Sequence, residues 1–334
     1  MKPTILELFA GAGGMAIGME MAGFETRMVN EYDKHACASL RVNRPLWNII
    51  EGDIANVDFT PYRGTDVISG GFPCQAFSYA GQRLGLNDVR GTLFYQFARA
   101  IAEVKPKIFI AENVRGLLRH DDGKTLDTII GIFSSIGYNV QPPKLLNSND
   151  YGVPQKRERV FIVGIRNDLD NTFEWPSAND YKPTLRDALR AGSLYPCDVP
   201  ESIGQRYSAK KEEVLRMVPA GGNWTSLPID VQKSYMKKSF HLGGGKTGMA
   251  RRLHWDKPSL TLTCSPSQNQ TERCHPDDTR PLTVREYARI QTFPDVWEFR
   301  GGVASQYKQI GNAVPVLLAK ALGESIIKRL QNDR

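Results

Sequence analysis

Short runs of apolar and β-branched residues alternate with amphipathic stretches through the first 166 residues. The strand-like runs are TILELF (4–9), TRMVNE (26–31), NIIEGD (48–53), DVISGG (66–71), KIFIAEN (107–113) and RVFIVGIR (159–166), and helical stretches lie near 15–22, 33–42, 92–104 and 124–136. This alternation predicts a doubly wound α/β domain with a mostly parallel sheet. Ligands of such sheets bind at the carboxyl ends of the strands, so we expect one rim built from the loops after Phe9, Glu31, Asp53, Gly70 and Glu112.

The regular alternation fails between about residue 175 and residue 282. Pro, Gly and Ser interrupt short segments there, such as PAGGNW, HLGGGKTGMARR and TCSPSQNQ. After Gly302 an amphipathic pattern returns and predicts a helix over 316–330. We therefore predict a first domain at 1–178, a second, smaller and irregular domain at 179–302, and a C-terminal segment at 303–334 that packs back on the first.

The net charge of +7 lies in the second half of the chain. Residues 179–302 carry 19 basic and 14 acidic side chains, and the densest basic part is 233–257, where aromatic residues are interleaved. Such a mixture suits neutralisation of phosphates with some contact to bases. The alternative interpretation is a solvated basic face without a partner.

Cysteine usage and hydropathy bear on the compartment. Five cysteines are an odd number without tight pairing intervals, which favours reduced thiols in a cytoplasmic protein. No run of about eighteen apolar residues is present to span a bilayer, so no membrane association is expected. The spacings of His254, Cys264, Cys274 and His275 fit no common zinc site, and no metal is predicted.

The first loop of the rim is rich in glycine. Gly11, Gly13 and Ala16 match a loose dinucleotide fingerprint, in which small residues let the backbone approach a ligand closely. At the next two strand ends, Glu31 suits ribose hydroxyls and Asp53 suits an adenine amino group. These features indicate an adenosine-containing cofactor, either a nicotinamide dinucleotide or S-adenosylmethionine.

Three further motifs bring reactive groups to the same rim. GGFPCQ (70–75) places the thiol of Cys74 in a loop shaped by Gly and Pro, and AENV (111–114) adds the carboxyl group of Glu112. QKRER (155–159) directs Gln155, Arg157 and Arg159 to one face of a strand, since alternate side chains share a face. A thiol, a carboxyl group and a guanidinium are therefore predicted to converge.

Taken together, these motifs resemble the DNA cytosine carbon-5 methyltransferase family. The match covers nearly the whole chain outside 175–255, in the family's order: FAGAGG, NEYD, GDI, GGFPCQAFS, RGTLF, AENV, QKRERVFIVG, RPLTVREYARIQTFPD and QIGNAVP. The resemblance implies a Rossmann-like methyltransferase fold, S-adenosylmethionine as the cofactor, double-stranded DNA as the partner, and a target-recognition role for the smaller domain. It also implies a monomer of a bacterial restriction-modification system, with a cognate restriction endonuclease as a functional partner and association with the nucleoid through DNA.

The resemblance implies roles for the reactive residues. Cys74 is the nucleophile that attacks carbon 6 of cytosine, and a protonated Glu112 stabilises the ring at nitrogen 3 and the exocyclic amine. Arg157 or Arg159 neutralises charge near the base, with Arg159 closer to the cytosine and Arg157 nearer the backbone. The cytosine is flipped out of the duplex, and segment 76–92 looks like the family's mobile loop, in which Ser78 approaches the vacated space and Arg90 holds a phosphate.

The resemblance also implies the binding residues. The cofactor site would be formed by Phe9, Gly11, Gly13, Glu31, Asp53, Ile54, Pro73, Leu93, Asn312 and Val314. Ala313 stands where the family often has a serine, which removes a hydroxyl from that position. Thr261 and Thr263 match a recurring element of the recognition domain, and Arg251, Arg252 and Gln270 are candidate base readers.

Other functions remain open at this stage. An RNA cytosine methyltransferase on the same scaffold, as in the branch that modifies transfer RNA, ranks second. A non-catalytic DNA-binding regulator disagrees with the presence of Cys74, Glu112 and Arg159 together. A nicotinamide-dependent oxidoreductase leaves PCQ and ENV unexplained. The sequence identifies neither the DNA target nor the base that removes the carbon 5 proton.

Overall fold

The structure, a computed structural model, describes residues 2–73, 92–241 and 247–332. The chain divides into two compact units: the first contains Met1–Tyr151, Glu158–Ala178 and Val314–Arg334, and the second contains Gly152–Arg157 and Asn179–Ala313. Residues 152–157 and 303–313 thus belong to the second unit, whereas the sequence pattern assigned them to the first domain and the C-terminal segment. The predicted domain boundaries differ here because contacts between residues far apart in the chain, and not the local sequence pattern, decide which unit a short segment joins.

The helices and strands of both units follow in chain order. They are β1 (Thr4–Leu8), α1 (Gly14–Ala22), β2 (Glu25–Glu31), α2 (Lys34–Asn43), β3 (Ile49–Glu51), β4 (Val67–Gly70), α3 (Leu93–Val104), β5 (Ile108–Val114), α4 (Lys124–Ser135), β6 (Tyr138–Val140), β7 (Lys144–Asn147), β8 (Gln155–Lys156), β9 (Glu158–Arg166), α5 (Leu185–Leu189), α6 (Ala209–Arg216), α7 (Ile229–Met236), β10 (Ser259–Leu260), α8 (Val284–Ile290), α9 (Val303–Asn312) and α10 (Val316–Gln331).

The first unit is built on one sheet with the strand order β3-β2-β1-β4-β5-β9-β6, and β7 also pairs with β9. The five strands from β3 to β5 are parallel, and β9 runs antiparallel to β5, β6 and β7. The prediction of an α/β fold with a mostly parallel sheet is confirmed. From β1 the chain adds β2 and β3 on one side and then β4 and β5 on the other side. A ligand crevice is therefore expected at the carboxyl ends of β1 and β4, where this change of side occurs.

Helices α1 and α10 of this unit pack closely through two glycines. A Cβ on Gly18 would lie 2.5 Å from the carbonyl oxygen of Val316, and one on Gly323 would lie 2.7 Å from the Cβ of Ala22. Separations below 3 Å are steric overlaps, so only glycine allows the two helices this approach. The C-terminal helix is therefore an integral part of the first unit.

The second unit has little regular structure. Its two-stranded sheet pairs β8 with β10 in parallel, and its helices are short apart from α9. One small apolar core contains Leu215, Val218, Leu227, Ala250 and Cys274. Much of this unit is held by polar side chains that bond to main-chain groups, and Arg157 and Arg252 are two examples.

One helical stretch, Val303–Gln331, is long and apolar enough by composition to cross a membrane, judged over the residues that the structure describes. Within its most apolar window 61% is buried inside the protein. The stretch is also interrupted, since α9 ends at Asn312 and α10 begins after Pro315. Burial and interruption are the properties of packed core helices, so this stretch is weak support for a membrane span.

Candidate active site

The loop between β1 and α1 turns sharply at three positions. Phe9, Gly11 and Gly13 have φ values of 57°, 56° and 87°, in the left-handed region. Glycine adopts this region without steric cost, whereas Phe9 does so under strain, and such strain is frequent in binding loops. Among the residues that the structure describes, none has an atom within 4 Å of a Cβ placed on Gly11, so the space beside this loop is open.

Glu31, at the end of β2, fixes this loop. One carboxylate oxygen accepts a hydrogen bond from the Gly11 amide at 2.7 Å, and the other accepts from the amides of Tyr32 and Asp33 at 2.9 and 2.7 Å. A carboxylate has about four acceptor positions, so roughly one stays available for a ligand hydroxyl. Asp53 accepts from the Ala55 amide at 2.9 Å through one oxygen and is exposed.

These groups fit an adenosine-containing cofactor. The strand ends at Glu31 and Asp53 offer carboxylate acceptors for hydroxyl and amino groups, next to a glycine loop with open space beside it. Ile54 is buried, Val314 is 9% exposed, and Pro73 and Leu93 are exposed. Asn312 belongs to the second unit, where its side-chain oxygen accepts from the Cys264 thiol at 3.2 Å.

The chain that leads to Cys74 is anchored at Phe72. The Phe72 ring is 2% exposed and packs against Phe94 and Phe97 with centroid distances of 5.2 and 5.7 Å. Its carbonyl oxygen accepts from the buried side-chain amide of Asn113 at 3.0 Å. The Asn of the ENV motif thus positions the backbone two residues before Cys74. Cys74 itself lies outside the described residues, as do Ser78 and Arg90.

Glu112 and Arg159 form an ion pair on one face of the sheet. Arg159 Nε lies 2.8 Å from Glu112 Oε1, and the two side chains are only 15% and 14% exposed. Glu112 pairs with Phe161 and Val114 pairs with Arg159 across the antiparallel strands β5 and β9, so the two charged residues are diagonal neighbours. The structure therefore brings together two of the residues that the sequence predicted to converge.

The backbone before Cys74 also passes close to Glu112. A Cβ on Gly71 would lie 2.8 Å from Glu112 Oε2, and a Cβ on Gly70 would lie 2.8 Å from the carbonyl oxygen of Leu8. Close approach of main-chain atoms thus requires glycine at position 70, whereas a Cβ at position 71 would displace only the end of the Glu112 side chain. The first admits β4 beside β1, and the second leaves room for the Glu112 carboxylate.

Sequence reasoning missed a buried carboxyl group beneath this site. Glu7 in β1 is 2% exposed and accepts a hydrogen bond from the hydroxyl of Ser69 in β4. Burial, with a smaller contribution from the charge of Glu112, raises the pKa of Glu7 from its ordinary value of 4.5 to about 8. The signal was present in the sequence as a lone acidic residue inside the apolar run TILELF.

Arg157 differs from its predicted role. Its side chain is 1% exposed, and its two terminal nitrogens donate to the carbonyl oxygens of Leu262 and Gly311 at 3.1 and 2.9 Å. A guanidinium enclosed in this way holds main-chain segments together instead of neutralising charge near a base. The two arginines of the QKRER motif therefore differ: Arg157 is buried and bonds to main-chain carbonyls, and Arg159 pairs with Glu112.

Comparison with known proteins decides the family. The family model described as C-5 cytosine-specific DNA methylase matches residues 3–328. The chain belongs to this family. The resemblance drawn from the motifs is confirmed, and the protein is a DNA (cytosine-5-)-methyltransferase.

Several relatives of this methyltransferase are closely similar along its whole length. It is 63% identical over 330 residues to the type II methyltransferase M.Eco47II of Escherichia coli, a match that covers 98% of this chain and 79% of that protein. It is 55% identical over 335 residues to M.Sau96I of Staphylococcus aureus, covering 98% and 76%.

Solved structures of low sequence identity share the fold. A putative DNA modification methyltransferase encoded within an Escherichia coli prophage superposes with a TM-score of 0.75 at 23% identity, covering 98% of this chain and 99% of that one. The Dnmt2 methyltransferase of S. pombe superposes with a TM-score of 0.65 at 17% identity, covering 99% of both chains.

In the second unit of the methyltransferase, the structure corrects one predicted base reader. Arg252 is 4% exposed and donates to several main-chain oxygens, among them those of Val218 and Leu215 at 2.7 and 2.8 Å. A buried guanidinium saturated by carbonyl groups is not available to a base edge. Sequence reasoning could not separate it from its neighbour Arg251 because both lie in the same basic run.

The other predicted DNA-binding residues of this unit differ in how far their side chains are occupied by hydrogen bonds within the protein. Half-buried Arg251 donates to the carbonyl oxygens of Thr247 and Gly221, each at 2.8 Å, and burial lowers the pKa of its guanidinium. The hydroxyl of Thr261 donates to Lys156 O at 2.8 Å, and that of Thr263 bonds within its own segment. Gln270 is exposed, and its amide makes no hydrogen bond within the described part of the chain.

Proposed function

We propose that this enzyme transfers a methyl group from S-adenosylmethionine to carbon 5 of a flipped cytosine in a short, specific duplex DNA site, through a covalent adduct with Cys74. The observation that carries the proposal is the Glu112–Arg159 ion pair. It lies on the sheet from which the chain continues toward Cys74, and the backbone there is anchored by the hydrogen bond from Asn113 to the Phe72 carbonyl. A carboxyl group and a guanidinium beside a loop thiol are the groups that this chemistry requires.

The cofactor would be held at the crevice between β1 and β4. Gly11 and Gly13 leave space for it, Phe9 packs on its adenine, and Glu31 and Asp53 accept from its ribose hydroxyls and adenine amino group. The remaining contacts would come from Ile54, Pro73, Leu93, Asn312 and Val314. When bound, S-adenosylmethionine would supply its sulfonium methyl group to carbon 5 of the base and leave as S-adenosylhomocysteine.

Cys74 would activate the cytosine by attack at carbon 6. Carbon 5 is a poor nucleophile, and formation of the S–C6 bond converts the ring into an enamine whose carbon 5 carries electron density. Only a thiolate attacks, so the thiol must lose its proton first. Asn113 supports this step indirectly, because it fixes the Phe72 carbonyl and with it the backbone before Cys74.

Glu112 and Arg159 would stabilise the charge that this attack creates. Attack pushes electron density toward ring nitrogen 3, where a protonated Glu112 can donate a hydrogen bond. Arg159 Nε lies 2.8 Å from one carboxylate oxygen of Glu112. We propose that base binding exchanges this ion pair for contacts to the cytosine, with Arg159 remaining next to the ring.

The reaction would end by β-elimination. Loss of the carbon 5 proton, to water, restores the C5–C6 double bond and expels the Cys74 thiolate. Before these steps, the cytosine must leave the base stack at a cost of a few kcal/mol, which protein contacts offset. We propose that Ser78 approaches the space that the cytosine leaves and that Arg90 holds a phosphate. Further DNA contacts would come from Arg251, Thr261, Thr263 and Gln270.

The relatives are named type II methyltransferases, and their names support a proposal for the cellular setting. We propose that the enzyme protects host DNA in a restriction-modification system. It would act as a monomer in the cytoplasm, associate with the nucleoid through DNA, and share a target with a cognate restriction endonuclease without binding it.

Methylation mapping tests the proposal. Purified enzyme, S-adenosylmethionine and a duplex library are incubated, and modified cytosines are located at single-base resolution. We expect methylation of cytosines in one short motif, with none above background for Cys74→Ser. Glu112→Gln should slow the reaction by about 10²–10⁴-fold, because it removes the proton that the ring requires.

Glu103→Gln is the matched control. Glu103 also pairs with an arginine, Arg99 at 3.2 Å, but on the surface of α3, so this variant should methylate at the rate of the unaltered enzyme. Cofactor binding without methylation of any duplex DNA would overturn the proposal and favour an RNA substrate. Full activity of Cys74→Ser would overturn the covalent mechanism.

A further inference from the structure

An exposed turn in the second unit presents consecutive amide side chains. Residues 265–271, which we call the amide turn, contain Gln268, Asn269 and Gln270, all exposed. The Thr271 amide donates to Gln268 O at 3.0 Å and closes the turn. The three amide side chains therefore lie next to one another on the surface of this unit.

The start of the amide turn is fixed by Gln205 and Lys211. The hydroxyls of Ser265 and Ser267 donate to Gln205 Oε1 at 2.8 and 2.5 Å. Lys211 Nζ donates to Ser267 O at 2.6 Å and to Asn269 Oδ1 at 3.0 Å. The backbone before Gln268 is therefore held from two directions.

The end of the amide turn rests on a buried charged pair. Glu272, with a fully buried side chain, forms an ion pair with Lys211 and accepts from Tyr235 Oη at 2.8 Å. The Glu272 amide donates to Gly248 O at 3.0 Å. A Cβ on Gly248 would overlap the carbonyl oxygen of Gln270, so this contact requires glycine. The turn is thus a rigid platform, because hydrogen bonds hold both of its ends and Gly248 packs against its backbone.

Two of the three amides remain available to a ligand. Asn269 is held through its oxygen by Lys211, whereas the Gln268 side chain has, within the described part of the chain, only a long contact of 3.4 Å from Thr271 Oγ1. The amide of Gln270 makes no hydrogen bond within the described residues. An amide offers donors and an acceptor at once, which matches the hydrogen-bonding edges of bases.

A rigid platform lowers the entropic cost of placing these groups, since little backbone order must be gained on binding. The segment that leads into the turn is also tied to the QKRER motif. The Leu262 amide donates to Gln155 Oε1 at 2.8 Å, and Leu262 O accepts from Arg157, two residues before Arg159 in the chain.

We propose that Gln268 and Gln270 are specificity-determining residues that read base edges of the DNA target, with Asn269 and Lys211 positioning them. This inference rests on the proposed function, because it presupposes methylation of a specific duplex site. It assigns the choice of sequence to the amide turn, whereas phosphate contacts of the basic run 233–257 would add affinity without sequence preference.

The test compares the enzyme with Gln268→Ala, Gln270→Ala and the double variant. Methylation mapping on a duplex library gives the consensus, and binding titrations give the ratio of Kd values for target and scrambled duplexes. We expect the double variant to relax the consensus at one or more positions and to lower that Kd ratio by at least about tenfold, with little change for scrambled DNA.

Gln331→Ala, at the exposed end of α10, is the matched amide control and should leave both readouts unchanged. Gln268→Met and Gln270→Met keep the side-chain length and its neutral charge while removing the amide donors and acceptor, so they test readout even if truncation alters the turn. An unchanged consensus and Kd ratio in all variants would overturn this inference alone. Equal weakening for target and scrambled DNA would overturn it too, by making the turn a general contact. If the unaltered enzyme methylates no motif, the proposed function fails instead.

Discussion

Four charged residues of this methyltransferase differ in burial and in what their side chains bond to. Arg157 and Arg252 are enclosed and bond to main-chain carbonyls, so they determine the backbone path. Glu112 and Arg159 keep some exposure and bond to each other, so a substrate can compete for them. The difference between neighbouring arginines of one motif therefore depends on burial and not on residue type.

Glu7 makes stability depend on pH. In the unfolded chain its pKa is near 4.5, whereas in the folded protein burial raises the pKa to about 8. Between these values the folded state binds more protons, so the free energy of unfolding falls as pH rises. We expect Glu7→Gln to match the unaltered protein near pH 5 and to exceed its free energy of unfolding above pH 8, by an amount on the order of a few kcal/mol. Urea unfolding at intervals from pH 5 to pH 9 measures the difference.

The control for this variant is Glu25→Gln, which changes an exposed glutamate on the adjacent strand β2. It should show no such divergence between pH 5 and pH 9. A constant difference between Glu7→Gln and the unaltered protein across this range would contradict the prediction.

At the scale of elements, the first unit relies on close approach between backbones. Gly18 and Gly323 admit α10 against α1, and Gly70 and Gly71 admit β4 and the following loop beside Leu8 and Glu112. Each contact places a main-chain or side-chain group where a Cβ would overlap. Glycine is thus used in this unit for space as well as for the left-handed turns at Gly11 and Gly13.

Gly18→Ala should destabilise the first unit. The added methyl group would overlap the backbone at Val316 and Lys320, which cannot move without displacing α10, and overpacking of this kind costs about 1–3 kcal/mol. Gly131→Ala is the opposite case, because Gly131 is exposed in α4 and a Cβ there meets nothing within 4 Å. Alanine should stabilise that helix by about 0.5–1 kcal/mol. Thermal unfolding distinguishes the two, and a shift of Tm in the same direction for both would refute the packing argument.

At the scale of the whole molecule, charge is distributed unevenly along the chain. The acidic and basic residues of 1–178 nearly balance, and the excess of basic residues lies in 179–302 and in the C-terminal segment. A polyanion such as DNA is attracted by this excess because phosphate neutralisation releases counterions. Several arginines of the second unit, among them Arg252 and Arg289, are nevertheless buried and committed to internal bonds.

DNA binding should weaken steeply with salt. If six phosphates are neutralised, the Kd for duplex DNA should rise about a thousandfold between 50 and 200 mM salt. Titrations of duplex DNA at several salt concentrations measure the slope, and titrations of S-adenosylmethionine at the same concentrations should show little change. A Kd for DNA that is independent of salt would mean that the basic residues face solvent alone.

The sequence by itself determined the fold class, the family and the position of Glu112 and Arg159 near each other. The fold class and the family follow from local information, since strand periodicity, glycine turns and short motifs are encoded over a few neighbouring residues. The proximity of Glu112 and Arg159 was predicted from the strand ends at which their motifs lie. The expected strands of the first unit, from TILELF to RVFIVGIR, all correspond to strands of the sheet for the same reason.

Only the tertiary structure decided which polar side chains are enclosed. Arg157 and Arg252 were expected near DNA, and both are buried because segments distant in sequence, at 262 and 311 or at 215 and 218, supply their acceptors. The platform beneath Gln268 and Gln270 has the same origin, since Gln205, Lys211 and Gly248 supply its contacts. Burial is set by contacts between segments far apart in the chain, so no local pattern contains it.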